Sequence, residues 1–126
     1  MVRAVWELEP GQGPIVATAI HHGQETRPEV EALFALDGAG RLREEDPFTG
    51  RWTVTGDSRL IVHRSRFEMD LNRPRETAVY LKPEDAWGLE LWRSAPEKEW
   101  VERSLAQYDA FYAMLKEFLG RLEARF

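Results

Sequence analysis

Residues 15–20 read Ile-Val-Ala-Thr-Ala-Ile, a short apolar run with no alternation of polar and apolar positions. Strands buried on both faces read this way, and such strands are usually parallel. A second run of this kind is Arg59-Leu60-Ile61-Val62-His63, and Ala78-Val79-Tyr80-Leu81 is a shorter third. Residues 1–10 alternate loosely through Val2, Val5, Trp6 and Leu8, as an edge strand does, and Gly11-Gln12-Gly13-Pro14 turns the chain.

Helical segments fall between these runs. Pro28 to Leu36 opens with proline and early acids, which suit a first helical turn, and Asp37-Gly38-Ala39-Gly40 reads as its stop. A second short helix or turn leads to Arg43-Glu44-Glu45-Asp46-Pro47. Pro83 to Leu91 starts with Pro-Glu-Asp and reads as another helix. The longest runs from about Pro96 to Arg125. There Val101, Leu105, Tyr108, Tyr112, Leu115, Leu119 and Leu122 step by three and four along one face, widened by Phe111 and Phe118. Packing on a sheet is the plain reading of that face, and a helix-mediated homodimer is the alternative.

Alternating strands and helices over 126 residues indicate one α/β domain, residues 1–126. Five Trp, six Phe and three Tyr supply bulky core material. Lys plus Arg is 17 against 22 for Asp plus Glu, a net charge of −5, which argues against a nucleic-acid partner. There is no cysteine, so a metal would have to be held by His, Asp or Glu. No signal pattern or membrane-length apolar run occurs, so no membrane partner is expected and the default location is the cytoplasm.

Three segments could carry chemistry. His21-His22-Gly23-Gln24-Glu25 follows directly on a buried strand, where open α/β sheets bind ligands. Imidazole and carboxylate are zinc ligands, although two adjacent histidines can also be only a loop. Glu44-Glu45-Asp46-Pro47 is a solvated acidic loop, or it supplies a carboxylate held extended before proline. Residues 64–75, Arg-Ser-Arg-Phe-Glu-Met-Asp-Leu-Asn-Arg-Pro-Arg, concentrate four arginines in an acidic chain. Their planar forks match carboxylates, so the segment reads as a pocket for a small anion, or as surface pairing with Glu68, Asp70 and Glu76. His63 reads as a structural or rim histidine. No Gly-x-Ser-x-Gly nucleophile elbow and no phosphate-binding glycine loop is present.

In combination these segments resemble the N-formylglutamate amidohydrolase family. That family has His-x-Gly after its first core strand, an Arg-led acidic stretch, and Ser-Arg-aromatic-x-x-Asp-Leu-Asn-Arg. They are matched here by His21-His22-Gly23, Arg43-Glu44-Glu45-Asp46 and Ser65-Arg66-Phe67-Glu68-Met69-Asp70-Leu71-Asn72-Arg73. The resemblance implies a mostly parallel central sheet flanked by helices, phosphorylase/hydrolase-like and similar to zinc carboxypeptidases, here incomplete. It also implies one zinc ion and hydrolysis of the amide of a small N-acyl acidic amino acid. Two ligand registers compete. In one, His21 binds the metal with Asp46. In the other, that of the aspartoacylase-like deacylases, His22 and Glu25 do. The Asp-Leu-Asn-Arg element favours the first. By the same resemblance Asn72 and Arg73 hold the substrate carboxylate, and Arg66 serves the pocket or the developing oxyanion as a catalytic group. Zinc would polarise the carbonyl, with a carboxylate as general base. Family members are roughly twice as long, and their later His motif and general-base Glu have no counterpart in these residues. The fold is therefore expected to continue beyond the long helix. A non-catalytic binding or scaffold module derived from the same fold, dimerising through that helix, is the competing expectation.

Overall fold

The computed structural model describes residues 3–126, so the part of the first predicted strand at Met1 and Val2 lies outside the described residues. Three strands form one sheet: β1 (Trp6–Glu9), β2 (Val16–Ala19) and β3 (Ser58–Val62), in the order β1-β3-β2. Central β3 runs parallel to β2, with Ala19 opposite Ile61. It runs antiparallel to β1, with Trp6 opposite Val62. The expected mostly parallel sheet is therefore a small mixed one. The reason is legible in β1: Trp6 and Leu8 face inward while Glu7 and Glu9 are exposed, the pattern of an antiparallel edge strand with one solvated face.

β2 is parallel as read, but it is not buried on both faces. It lies at the other edge of the sheet, so Thr18 is exposed and only Ala19 is buried. The doubly packed position belongs to β3, where Ser58, Leu60 and Val62 are buried and Arg59 and Ile61 are half-buried.

The helix expected over 28–36 is a single turn, α1 (Pro28–Glu31). Beyond it the backbone is taken by tertiary pairing: Ala35 N–H donates to the Leu91 carbonyl, Arg93 N–H donates to that of Leu33, and Phe34 bridges Trp92. The expected stop at Asp37-Gly38 is instead a start. Asp37 caps α2 (Gly38–Leu42), its side chain accepting from Gly40 N–H at 2.7 Å. A 3₁₀ segment, Thr49–Thr55, then leads into β3.

Residues 78–81 are not a strand. Among the described residues no strand pairs with them, and their backbone is bonded singly where it is bonded: the Ala78 carbonyl accepts from Asp70 N–H and the Tyr80 carbonyl from Trp92 Nε1. Ala78, Val79 and Tyr80 are nonetheless buried, which explains their apolar character. The helix expected over 83–91 shrinks to one 3₁₀ turn, Pro83–Ala86. Trp87 and Gly88 follow with φ of 43° and 91°, which end it.

The last helix, α3 (Lys98–Arg125), forms as expected and packs on the sheet. Its contact face is rotated from the predicted stripe. Ser104, Phe111, Phe118 and Leu122 are its buried residues, whereas Tyr112 and Leu119 are exposed. Ring size decides this: Phe111 meets the edge of Trp6 at 5.7 Å and joins Leu60, Val62, Met69 and Leu71 in one apolar cluster. A second cluster, with Phe34, Phe67, Tyr80 and Leu91, supports the segment after β3. No described helix is long and apolar enough to cross a membrane.

Candidate active site

Because β2 and β3 are parallel, their carboxyl ends open on the same side of the sheet. His21 follows one and Arg64 to Arg66 follow the other, so the two sequence motifs meet there. A Cβ added to Gly23 would fall 2.1 Å from the His63 carbonyl carbon, so only glycine lets the two loops approach. That approach allows Glu25 N–H to donate to the His63 carbonyl at 3.0 Å and Ser65 N–H to that of Glu25 at 2.8 Å.

Asp70 is the centre of the site. Its carboxylate accepts from His21 Nε2 at 2.7 Å, from Arg66 Nη2 at 3.1 Å, from its own loop at Asn72 N–H (2.8 Å) and from the Tyr80 hydroxyl. Arg73 Nε stands 3.8 Å away. Burial is the largest influence on Asp70 and acts to raise its pKa. The bonds from His21, Tyr80 and Asn72 together outweigh it and hold the carboxyl well below the usual carboxylate range. Tyr80 moves the other way: burial, then its bond to Asp70, push its hydroxyl up to about 12.

The bond to Asp70 fixes the His21 ring, Nε2 donating and Nδ1 turned to Asp46, whose Oδ2 lies 3.5 Å away. The acidic loop is anchored there, since Asp46 N–H donates to the His21 carbonyl at 3.1 Å. Its neighbour Glu45 is buried and accepts from the Ser65 hydroxyl at 2.6 Å. Burial raises the Glu45 pKa against the opposing pull of Ser65, Arg41 and Arg66. A cavity of about 410 Å³ opens beside His21 and Asp46, walled by Ala17, Ile20, Trp52 and Thr53.

The expected metal residues thus divide into two groups. His21 and Asp46 come together. His22 and Glu25 line a separate polar cavity with Arg3 and His63. There His22 Nδ1 accepts from Gly50 N–H, and Glu25 pairs with Arg3 at 3.5 Å. His63 is a buried structural residue, its Nε2 bonded to Glu7 at 2.8 Å. Among the described residues no three His, Asp or Glu side chains gather as a metal cage. The His21–Asp46 pair still has the dimensions of two ligands: donors at about 2.1 Å from a tetrahedral zinc lie about 3.4 Å apart.

Two of the expected ion pairs form, with Glu68 and Asp70, but on carboxylates that are buried, whereas the ion pair of Arg75 is at the surface. Arg64 is buried against Glu68 at 3.1 Å, Arg66 is held by Asp70 and Tyr80, and Arg75 pairs with Asp109 rather than Glu76. The Arg73 guanidinium lies over the Tyr80 ring at 4.3 Å and has no side-chain hydrogen bond among the described residues. Asn72 is exposed beside it. Two further residues join the site without a motif to announce them. Tyr80 sits in what reads as a strand, and Trp87 in what reads as a helix. Their only signal was bulky aromatic character near two breakers.

Fold and site together define an α/β protein whose His-bearing and Arg-bearing loops meet at the carboxyl ends of two parallel strands. Residues 13–126 match the family model described as N-formylglutamate amidohydrolase, and the chain belongs to that family. Among solved structures it is similar to N-formylglutamate amidohydrolase from Ralstonia eutropha JMP134, with a TM-score of 0.76 and 17% identity. The likeness covers 98% of this chain and 54% of that one, so the chain spans about half the length of that relative. At this identity the likeness is one of fold. No curated protein sequence matched.

Proposed function

We propose that this chain carries the substrate- and metal-holding half of a zinc-dependent amidohydrolase acting on a small N-acyl acidic amino acid, with N-formyl-L-glutamate as the type substrate. The observation that supports it best is the Asp70 cluster. One carboxylate contacts both the imidazole that faces Asp46 and the two arginines, Arg66 and Arg73, that this reading assigns to the substrate.

The roles follow from what each group has left to give. His21 Nδ1 and Asp46 would hold the zinc, and Asp70 positions His21 through its far nitrogen. Bound there, zinc would polarise the amide carbonyl and lower the pKa of a bound water. A four-coordinate ion takes its other positions from water, substrate or a further protein donor. Arg73 and Asn72 hold the substrate carboxylate as a fork and a neutral donor. Arg66 Nε and Nη2 are committed to Tyr80 and Asp70, which holds the guanidinium in one orientation, and in this reading it stabilises the charge that develops on the carbonyl oxygen.

Calorimetric titration with N-formyl-L-glutamate tests this reading. Saturable binding is expected, weakened about tenfold to a hundredfold by Arg73→Ala, the worth of a charge-assisted hydrogen bond. Equal weak binding by both proteins would overturn it.

A further inference from the structure

Trp87 shares an unusual backbone conformation with one other non-glycine among the described residues, Phe48. The Trp87 backbone is left-handed, with φ 43° and ψ 39°. Such a bulky residue adopts this region only against backbone strain, and residues of this kind cluster at functional sites. Nearly half of its surface remains open, at 47% exposure, so burial of the ring alone does not compensate.

The side chain shows what the turn achieves. Its Nε1–H donates to Glu44 Oε2 at 3.2 Å, across from the acidic loop that bears Asp46. The Arg66 guanidinium lies over the ring, 4.9 Å from the centroid. The ring is backed by Phe67 at 6.1 Å and Tyr80 at 6.0 Å, the same Tyr80 that bonds Arg66 and Asp70. One indole therefore touches the acidic loop at its polar end and the catalytic arginine at its face. Gly88, with φ 91°, carries the chain away from the turn.

We infer that Trp87 is a positioning residue. It covers one face of Arg66, confines the guanidinium to the plane in which it meets an anionic ligand, and fastens the Glu44 end of the acidic loop to the arginine pocket. The inference rests on the proposed role of Arg66 for its consequence in binding, but not for the contact itself. Cation–π stacking holds a guanidinium best where water is partly excluded, as here between Trp87, Tyr80 and Asp70.

The experiment compares wild type, Trp87→Phe and Trp87→Ala by the Arg66 Nε–H resonance and by titration with N-formyl-L-glutamate. Trp87→Phe keeps a ring for stacking and loses only the bond to Glu44. The expected resonance is sharp in wild type, retained in Trp87→Phe and lost to exchange in Trp87→Ala. The expected dissociation constant rises about threefold in Trp87→Phe and about tenfold in Trp87→Ala, in line with the strength of a partly desolvated cation–π contact. In an Arg66→Ala background Trp87→Ala should add nothing, because the two residues act as one unit. A general loss of structure would move both backgrounds alike. An unchanged Arg66 resonance in Trp87→Ala overturns the inference. Failure of the wild type to bind N-formyl-L-glutamate overturns the proposed substrate instead, and the resonance still decides the role of Trp87.

Discussion

Asp70 is buried with its oxygens committed to His21, Arg66, Tyr80 and the Asn72 N–H, so replacing it leaves several donors without their acceptor. Asp70→Asn should cost about 3–5 kcal/mol near neutral pH, the range for breaking one side of a buried ion pair, measurable by urea unfolding. The cost should depend on pH. A carboxyl with a depressed folded pKa contributes its full stability above the unfolded value of about 3.9 and loses it as pH falls through the folded value. The gap between wild type and Asp70→Asn should therefore be constant from mildly acid pH upward and narrow below it. Tyr80→Phe removes one donor to the same carboxylate and should cost about 1–3 kcal/mol. Asp70 was visible in the sequence as part of Asp-Leu-Asn-Arg and as an ion-pair partner for the arginines. Its task as the hub of the site depends on burial, which spacing does not report.

Among the elements, α3 shows what periodicity can and cannot specify. The three-four spacing located the helix correctly, but it did not choose among adjacent apolar stripes. Phe111 at one edge of the predicted stripe became its centre because Trp6 and Met69 present a slot for a ring. Phe111→Ala should therefore cost about 3–5 kcal/mol in thermal unfolding. Leu119→Ala, although on the predicted stripe, should stay within about 1 kcal/mol because the residue is exposed. The shorter elements were less legible for a related reason. Pro28-Glu29 and Pro83-Glu84 announce helices that last one turn, since pairing between Phe34 and Trp92 and the left-handed turn at Trp87 override local propensity. Gly23 belongs to this scale as well. Gly23→Ala should destabilise by about 1–3 kcal/mol, since a methyl group there meets backbone from the β3 loop.

At the scale of the molecule, the described residues form a mixed sheet of three strands with β2 at one edge, and the chain spans about half, 54%, of the length of its structural relative. The apolar face of α3 is covered by this chain's own sheet, through Phe111 and Leu60, so a helix-mediated dimer would have to use the outer face. Net charge is −5, and Arg64, buried, and Arg66, half-buried, are paired with Glu68 and Asp70, so their charge is offset within the chain rather than presented to a polyanion. The three motif segments were legible because chemistry restricts their residue types. Which of two adjacent histidines faces the acidic loop was favoured as His21 only through the family resemblance, because it depends on the hydrogen bond that His21 donates to Asp70, which spacing does not show.

That choice is also the most direct test of the proposed metal-holding site. Zinc affinity should be titrated for wild type, His21→Ala, His22→Ala and Asp70→Asn. The expected result is a zinc site in wild type that His22→Ala leaves intact, that His21→Ala abolishes, and that Asp70→Asn weakens about 10- to 100-fold, the usual effect of removing the carboxylate behind a ligand histidine. Zinc that follows His22 instead of His21, or a wild type that binds none, would contradict it.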